Sequence, residues 1–232
     1  EVLGEFPRAD DDTVIPMELI KAAVDRDVAL SASAPIIWGL DVARYGGDNS
    51  ALCVRQGNTV LELKSFQSMD LMQLCGAIKN KYDDCTALER PQEILIDVIG
   101  LGSGVVDRLA EQNLPVRGIN VAEAPATKKN YLNLRAELWF GIKDWLAQRD
   151  CRLPNDDELV SELAAPIYKY TSSGKIKLES KEEMRKRGIK SPDKADALSL
   201  TMASSAASFS GSMSFMGYNF KQPLKSKIIR IG

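Results

Sequence analysis

The sequence contains no histidine at any of its 232 positions. This absence excludes Ser-His-Asp and Cys-His nucleophiles, general acid–base chemistry by imidazole, and nucleases that use histidine as a metal ligand. Any chemistry must therefore use carboxylates, lysines, hydroxyls or a bound metal ion.

Cysteine is scarce, and its four residues lie far apart, at positions 53, 75, 85 and 151. No two form a Cys-x-x-Cys pair, which argues against a zinc site and against a disulfide framework. A reduced, intracellular setting fits this usage. No apolar run reaches about 20 residues, the length that spans a bilayer, and the first residues are charged and include proline, so we expect no signal peptide and no membrane partner.

What remains is an ordinary globular composition, with 44% hydrophobic residues, 27% charged residues and a formal net charge of −2. Two antiparallel strands after the first, followed by β-α-β alternation, predict an α/β protein with a mixed central β-sheet flanked by α-helices. The predicted strands cover residues 36–43, 50–56, 58–66, 93–99 and 115–121, with a hairpin over 168–180. The predicted helices cover residues 17–26, 69–82, 105–113, 131–149, 153–165 and 191–207.

The composition changes along the chain predict three regions. Residues 1–35 read as an N-terminal arm and one helix, and residues 36–208 as the main domain. Residues 209–232 read as a flexible tail, because this segment is rich in Ser, Gly, Met and Phe and then becomes basic, with Lys221, Lys225, Lys227 and Arg230.

Aspartates stand at three places where the surroundings are apolar or small. Asp41 and Asp97 end predicted strands, where binding sites form in open sheets. Asp193 and Asp196 are three residues apart on a predicted helix and therefore share a face. If the fold brings these segments together, their mutual repulsion calls for cations, and oxygen ligands suit Mg²⁺ or Mn²⁺. Such a cluster is typical of two-metal phosphodiester hydrolysis. Asp48 reads as a turn residue.

The glycine run IGLGSG after Asp97 reads as a tight turn from strand to helix. It lacks the Lys-Ser/Thr ending of a P-loop, and Val105 stands where a dinucleotide fingerprint has glycine. We therefore predict no nucleotide-binding residues.

Four segments in order resemble the nuclease domain of the large terminase subunit of tailed bacteriophages: GLDVARYGGDNSAL, ILIDVIGLGSGVVDRL, NLRAELW and SKEEMRKRGIKSPDKADAL. The segment GEFPRADDDTVIPMELIKAAVDR resembles the one that precedes that domain. The resemblance covers about residues 1–205 and implies an RNase H-like fold. It also implies a metal-dependent endonuclease that cuts concatemeric viral DNA during genome packaging, using two Mg²⁺ or Mn²⁺ ions.

By this resemblance, Asp41 and Asp97 are catalytic metal ligands, and Asp193, Asp196 or both complete the site. The implied partners are double-stranded DNA, an ATPase motor domain, the small terminase subunit and the portal protein. The implied location is the host cytoplasm during virion assembly. The sequence has no Walker A motif, so residues 1–35 would be the linker from a motor that this chain lacks.

Basic residues are concentrated just before the last predicted helix. Residues 174–190 carry seven basic and three acidic side chains, a net charge of +4. Basic groups beside a carboxylate cluster would bind the phosphodiester backbone, and the lack of interleaved aromatic residues predicts largely sequence-independent cutting. The predicted DNA-binding residues are Lys128, Lys129, Lys175, Lys177, Lys181, Arg185, Lys186, Arg187 and Lys190.

Several alternatives stay open. Asn133, Arg135 and Glu137 either form ion pairs on a helix face or belong to the site, while Trp139 and Trp145 read as core. At the level of function, the alternatives are a Holliday-junction resolvase-like nuclease, a non-cleaving module that docks on DNA or the portal, and an actin-like nucleotide-binding domain.

Overall fold

The computed structural model describes residues 12–43, 49–125 and 130–204. Five strands form one sheet in the order β3-β2-β1-β4-β5. They are β1 (Ile36–Asp41), β2 (Ser50–Gln56), β3 (Thr59–Phe66), β4 (Glu93–Asp97) and β5 (Val116–Ile119). The pairs β1–β2 and β2–β3 are antiparallel, whereas β1–β4 and β4–β5 are parallel. The predicted mixed sheet is confirmed.

The central strand β1 is buried at all six positions, because helices cover both faces of the sheet. Since side chains alternate along a strand, Trp38 and Leu40 face one layer, and Ile37 faces the other. The first layer contains α2 (Leu71–Asp84) and α3 (Gly102–Glu111). The second contains α1 (Met17–Ala23), α4 (Leu134–Ala147), α5 (Asp157–Ala164) and α7 (Asp193–Thr201).

A small hairpin and one short helix complete the described structure. The hairpin joins β6 (Tyr168–Tyr170) to β7 (Ile176–Leu178), as predicted. The helix α6 (Lys181–Lys186) was not predicted. It begins at a capping box in which Ser180 and Glu183 each bond the other's backbone N–H, and this Ser-x-x-Glu spacing is a readable helix-start signal.

Of the predicted arm, the structure describes residues 12–35, and within this part Val14, Ile15 and Ile20 are fully buried in the main core. Helix α7 ends at Thr201, earlier than predicted, and the buried guanidinium of Arg55 donates to the Thr201 carbonyl at 2.8 Å. Among the helices that the structure describes, none combines the length and the apolar character that a bilayer crossing requires.

Candidate active site

Asp41 and Asp97 end two neighbouring parallel strands. Leu40 of β1 pairs with Ile96 of β4, so each aspartate occupies the next position at the same edge of the sheet. Asp41 is 6% exposed. The loop after Asp97 turns sharply into α3, and a Cβ at Gly102 would lie 1.7 Å from the Asp97 carbonyl oxygen. Glycine is therefore required at this turn, which agrees with the predicted role of the glycine run.

Helix α7 brings the other two aspartates to the same edge. A Cβ at Gly39 would lie only 2.0 Å from the carbonyl oxygen of Ala197, so α7 packs directly on the backbone of β1. Asp193 and Asp196 lie in the first turn of α7, and both are buried. The absence of a side chain at Gly39 thus sets the distance between the helix and Asp41.

The ammonium group of Lys181, at the start of α6, joins three of these carboxylates. Its Nζ lies 3.0 Å from Oδ2 of Asp41, 3.2 Å from Oδ2 of Asp196 and 3.7 Å from Oδ1 of Asp193. The backbone N–H of Asn49 also donates to Oδ2 of Asp193 at 3.1 Å. Lys181 was predicted to contact DNA, but it lies among the acids.

Asp97 stands slightly apart from this ion-pair cluster. Its Oδ1 accepts a hydrogen bond from the backbone N–H of Ile99 at 3.1 Å. Burial raises the pKa of Asp97, and the charge of Asp196 raises it further. All four predicted aspartates line one open cleft of about 1180 Å³. The structure therefore brings together the three sequence segments that were expected to converge.

Asp196 is the most firmly held of the four carboxylates. Its oxygens accept bonds from Arg135 Nη2 at 3.1 Å and 3.3 Å, and Trp139 Nε1 donates to Oδ1 at 2.8 Å. Arg135 is therefore part of the site. Trp139 is fully buried as predicted, but its indole N–H also has this polar role. Asn133 caps α4 by accepting from Ala136 N at 3.1 Å.

The carboxylates differ in their affinity for protons. Burial raises the pKa of Asp41 to about 7, although Lys181 opposes this effect. Burial alone would also raise the pKa of Asp196, but Arg135 and Lys181 outweigh it and lower that pKa. Burial alone would lower the pKa of Lys181, yet the three carboxylates outweigh it and raise that pKa. Lys181 is therefore positively charged at every physiological pH.

The donor set fits a hard divalent cation. All four side chains offer carboxylate oxygens, the ligand type that Mg²⁺ and Mn²⁺ prefer. In residues 12–43, 49–125 and 130–204, no three histidine, cysteine, aspartate or glutamate side chains are positioned to hold a metal ion as they stand. The Lys181 ammonium occupies the space between Asp41, Asp193 and Asp196.

The predicted DNA-binding residues separate into groups. Lys177, Arg185 and Lys190 are exposed and line the cleft together with Lys181. Arg187 instead forms an ion pair with the buried Glu179, with Nε 2.7 Å from Oε1. Lys175 and Lys186 do not line the cleft. Lys128 and Lys129 lie outside the described residues, as do Asp48 and the tail from residue 209.

Glu162 is a cleft residue that the sequence did not reveal. It belongs to α5, and its Oε2 accepts a hydrogen bond from the backbone N–H of Ala195 at 2.9 Å. Burial, helped by the negative charges of Asp193, Glu158 and Asp196, raises the pKa of Glu162 to about 8, although the hydrogen bond from Ala195 opposes this effect. In the sequence, Glu162 is one of several acids on an amphipathic helix, and no local pattern distinguishes it.

Comparison with known proteins gives a consistent result for the fold. No protein-family model matches the chain, and no curated protein matches it. Among solved structures, the chain is similar to a point mutant of the nuclease domain of the large terminase subunit gp2 of bacterial virus Sf6, with manganese and beta-thujaplicinol. The TM-score is 0.71 at 20% identity, over 82% of this chain and 98% of that chain.

A second similar structure is the large terminase nuclease from thermophilic phage G20c with bound magnesium. The TM-score is 0.61 at 14% identity, over 83% of this chain and 97% of that chain. The same nuclease has also been solved with bound cobalt. The RNase H-like fold expected from the sequence is confirmed: the mixed five-stranded sheet and its flanking helices match those of terminase nuclease domains.

Proposed function

We propose that this chain is the nuclease part of a terminase large subunit, a metal-dependent endonuclease that cuts concatemeric viral DNA during genome packaging. The observation that carries the proposal is the convergence of Asp41, Asp97, Asp193 and Asp196 on one cleft. The shared fold and the metals bound to the similar terminase nucleases support it.

Divalent cations, Mg²⁺ or Mn²⁺, are the proposed cofactors, and the four aspartates are the residues that would hold them. Two such ions, when bound, supply a nucleophile at neutral pH and neutralise charge on the attacking and leaving oxygens. Asp41 and Asp97 come from the rigid edge of the sheet, and Asp193 and Asp196 from the first turn of α7. Ligands on rigid elements keep their positions as the substrate binds.

Three further residues around the aspartates have different proposed roles. Arg135 and Trp139 fix the orientation of Asp196 through charge-assisted and indole hydrogen bonds. Lys181 neutralises the acids when no cation is bound, and its long side chain allows it to withdraw.

The DNA path that we propose runs along the exposed cleft residues Lys177, Arg185 and Lys190. These side chains would contact phosphates, which position the duplex without reading its sequence. Arg187 is left out of this path because it does not line the cleft and is held by the buried Glu179. In this proposal the chain works in the host cytoplasm during virion assembly, with an ATPase motor domain, the small terminase subunit and the portal protein.

Supercoiled plasmid DNA tests the proposal. In Mn²⁺ the parent protein should nick and linearise the plasmid, and Asp41→Asn should lose this activity while it still binds DNA. Asp107→Asn, an exposed acid on α3, is the matched control and should cut like the parent. A parent protein that binds DNA but never cuts it in Mn²⁺ or Mg²⁺ would instead be a docking module. A strong preference for four-way junctions over duplex would indicate a resolvase.

A further inference from the structure

The helix that carries Asp193 and Asp196 has no cap of its own. Its N-cap residue, Pro192, forms no side-chain capping bond. The N–H groups in the first turn of a helix need partners from elsewhere. Here the partner comes from another helix, since Oε2 of Glu162 accepts from the backbone N–H of Ala195 at 2.9 Å. Ala195 lies between the two aspartates, so Glu162 holds the turn that presents them.

A second contact joins the same two helices, and here the side chain comes from α7 and reaches acceptors at the start of α5. Lys194 of α7, whose side chain is only 12% exposed, reaches Oδ2 of Asp156 at 2.7 Å and Oε2 of Glu158 at 2.8 Å. Asp156 is itself the N-cap of α5 and accepts from Leu159 N at 2.9 Å. Helices α5 and α7 are thus joined by two side chains, one from each helix: Lys194 reaches the start of α5, and Glu162, near the end of α5, reaches the first turn of α7.

The location of Glu162 is electrostatically unfavourable, because Asp193, Glu158 and Asp196 surround it with like charge and burial opposes its ionisation. Its bond to α7 is the favourable contact that this position provides. The bond requires an acceptor oxygen and does not require a negative charge.

We propose that Glu162 is a positioning residue: it fixes the first turn of α7 so that Asp193 and Asp196 are held ready for the divalent cations. This inference rests on the proposed function, since it assumes that these aspartates bind metal. Glu162 acts through Ala195 and is not itself a ligand. Residues that orient metal ligands typically contribute about tenfold to a hundredfold in metal affinity.

Two substitutions separate positioning from direct ligation. Glu162→Gln keeps an acceptor oxygen for Ala195 N but removes the carboxylate, whereas Glu162→Ala removes both. Mn²⁺ binding to the DNA-free protein, measured by water-proton relaxation, is a readout independent of cleavage. We expect Glu162→Gln to stay within about twofold of the parent, and Glu162→Ala to bind at least about tenfold more weakly. Glu111→Ala, on the surface of α3, is the control.

Each outcome decides between the alternatives. If the parent protein does not bind Mn²⁺, the proposed function fails, whatever Glu162 does. If the parent binds and Glu162→Ala binds equally well, the positioning role is overturned. If Glu162→Gln loses as much affinity as Glu162→Ala, the carboxylate itself is required and the positioning role is again overturned. Should Glu162→Ala not fold, Glu162→Leu, which fills the space of the side chain but offers no acceptor oxygen to Ala195 N, must show the weakened binding instead, and parent-like binding would overturn the proposal.

Discussion

The Nζ atom of Lys181 lies 3.0 Å from Oδ2 of Asp41, although the two residues are 140 positions apart in the sequence. This contact, with those to Asp193 and Asp196, puts a lysine cation in the middle of the proposed metal site. A divalent cation and an ammonium group cannot share this space. Metal binding in our account therefore requires Lys181 to withdraw.

Replacing Lys181 should strengthen metal binding. Lys181→Met removes a competing positive charge, and charges a few Å apart near a protein surface interact by about 4 kcal/mol. We expect Mn²⁺ to bind at least about tenfold more tightly, as measured by calorimetry on the DNA-free protein. Lys79→Met, on the outer side of α2, is the control and should leave the affinity unchanged. Equal or weaker binding by Lys181→Met would show that the lysine does not compete with the metal.

Arg135 should stabilise the protein as well as the site. Its partner Asp196 is buried, and a buried carboxylate left without its guanidinium costs about 3 kcal/mol in the free energy of unfolding. We expect Arg135→Met to lose about this much in urea unfolding with EDTA present. Arg108→Met breaks an exposed pair with Glu111 and should change stability by less than about 0.5 kcal/mol. If Arg135→Met also lowered the free energy of unfolding by less than about 0.5 kcal/mol, Lys181 and Trp139 would be enough to stabilise the buried Asp196 carboxylate.

The free energy of unfolding of the metal-free protein should depend on pH through the ionisation of Asp41. Burial raises its pKa to about 7 in the folded state, whereas an unfolded aspartate has a pKa of about 3.9. Between these values the folded state holds more protons, so this group's contribution to stability falls as pH rises from about 4 to about 7, and is constant above. Asp41→Asn cannot titrate.

The measurement for Asp41 is urea unfolding of both proteins with EDTA at several pH values. The stability of Asp41→Asn relative to the parent should rise from pH 4 to pH 7 and then level. Asp107→Asn should follow the parent throughout. A difference between Asp41→Asn and the parent that does not vary with pH would mean that Asp41 ionises normally.

The cleft lysines and arginine should determine how DNA binding depends on salt. Each phosphate contact contributes about −0.9 to the slope of log K against log salt concentration. Lys190→Ala and Arg185→Ala should each reduce the slope by about one, with little dependence on the DNA sequence. Fluorescence anisotropy with a labelled duplex measures this. Lys21→Ala, on α1, serves as the control, and an equal slope for all three variants would place the DNA elsewhere.

Local patterns predicted which segments carry the site residues. Apolar runs that end in Asp41 and Asp97 marked two strands, and the spacing of Asp193 and Asp196 marked one helix face. That the two strands are neighbours is a finding of the structure. Contacts between distant segments were not readable. The pairing of Arg135 with Asp196 spans 61 positions and depends on how α4 packs against α7. The bond between Glu162 and Ala195 depends on the approach of α5, which no local pattern specifies.

The start of α6 has a sequence signal of its own. Ser180 and Glu183 form a capping box, and this helix start directs Lys181 into the carboxylates. The run of basic residues there suggested a uniform DNA-binding surface. In the structure these basic residues have different surroundings. Lys181 forms ion pairs with the site aspartates, and Arg187 forms an ion pair with Glu179. Other basic residues of the run are exposed and line the cleft.

In the proposed nuclease, Asp41, Asp97 and the α7 aspartates hold divalent cations in one cleft. A crystal structure with Mn²⁺, in which the anomalous signal locates the ions, would show this arrangement. Manganese should be bound by Asp41 together with Asp97 or the α7 aspartates, and the Lys181 ammonium should be withdrawn from Asp41. Manganese absent from this cleft, with Lys181 still bonded to Asp41, would contradict this arrangement.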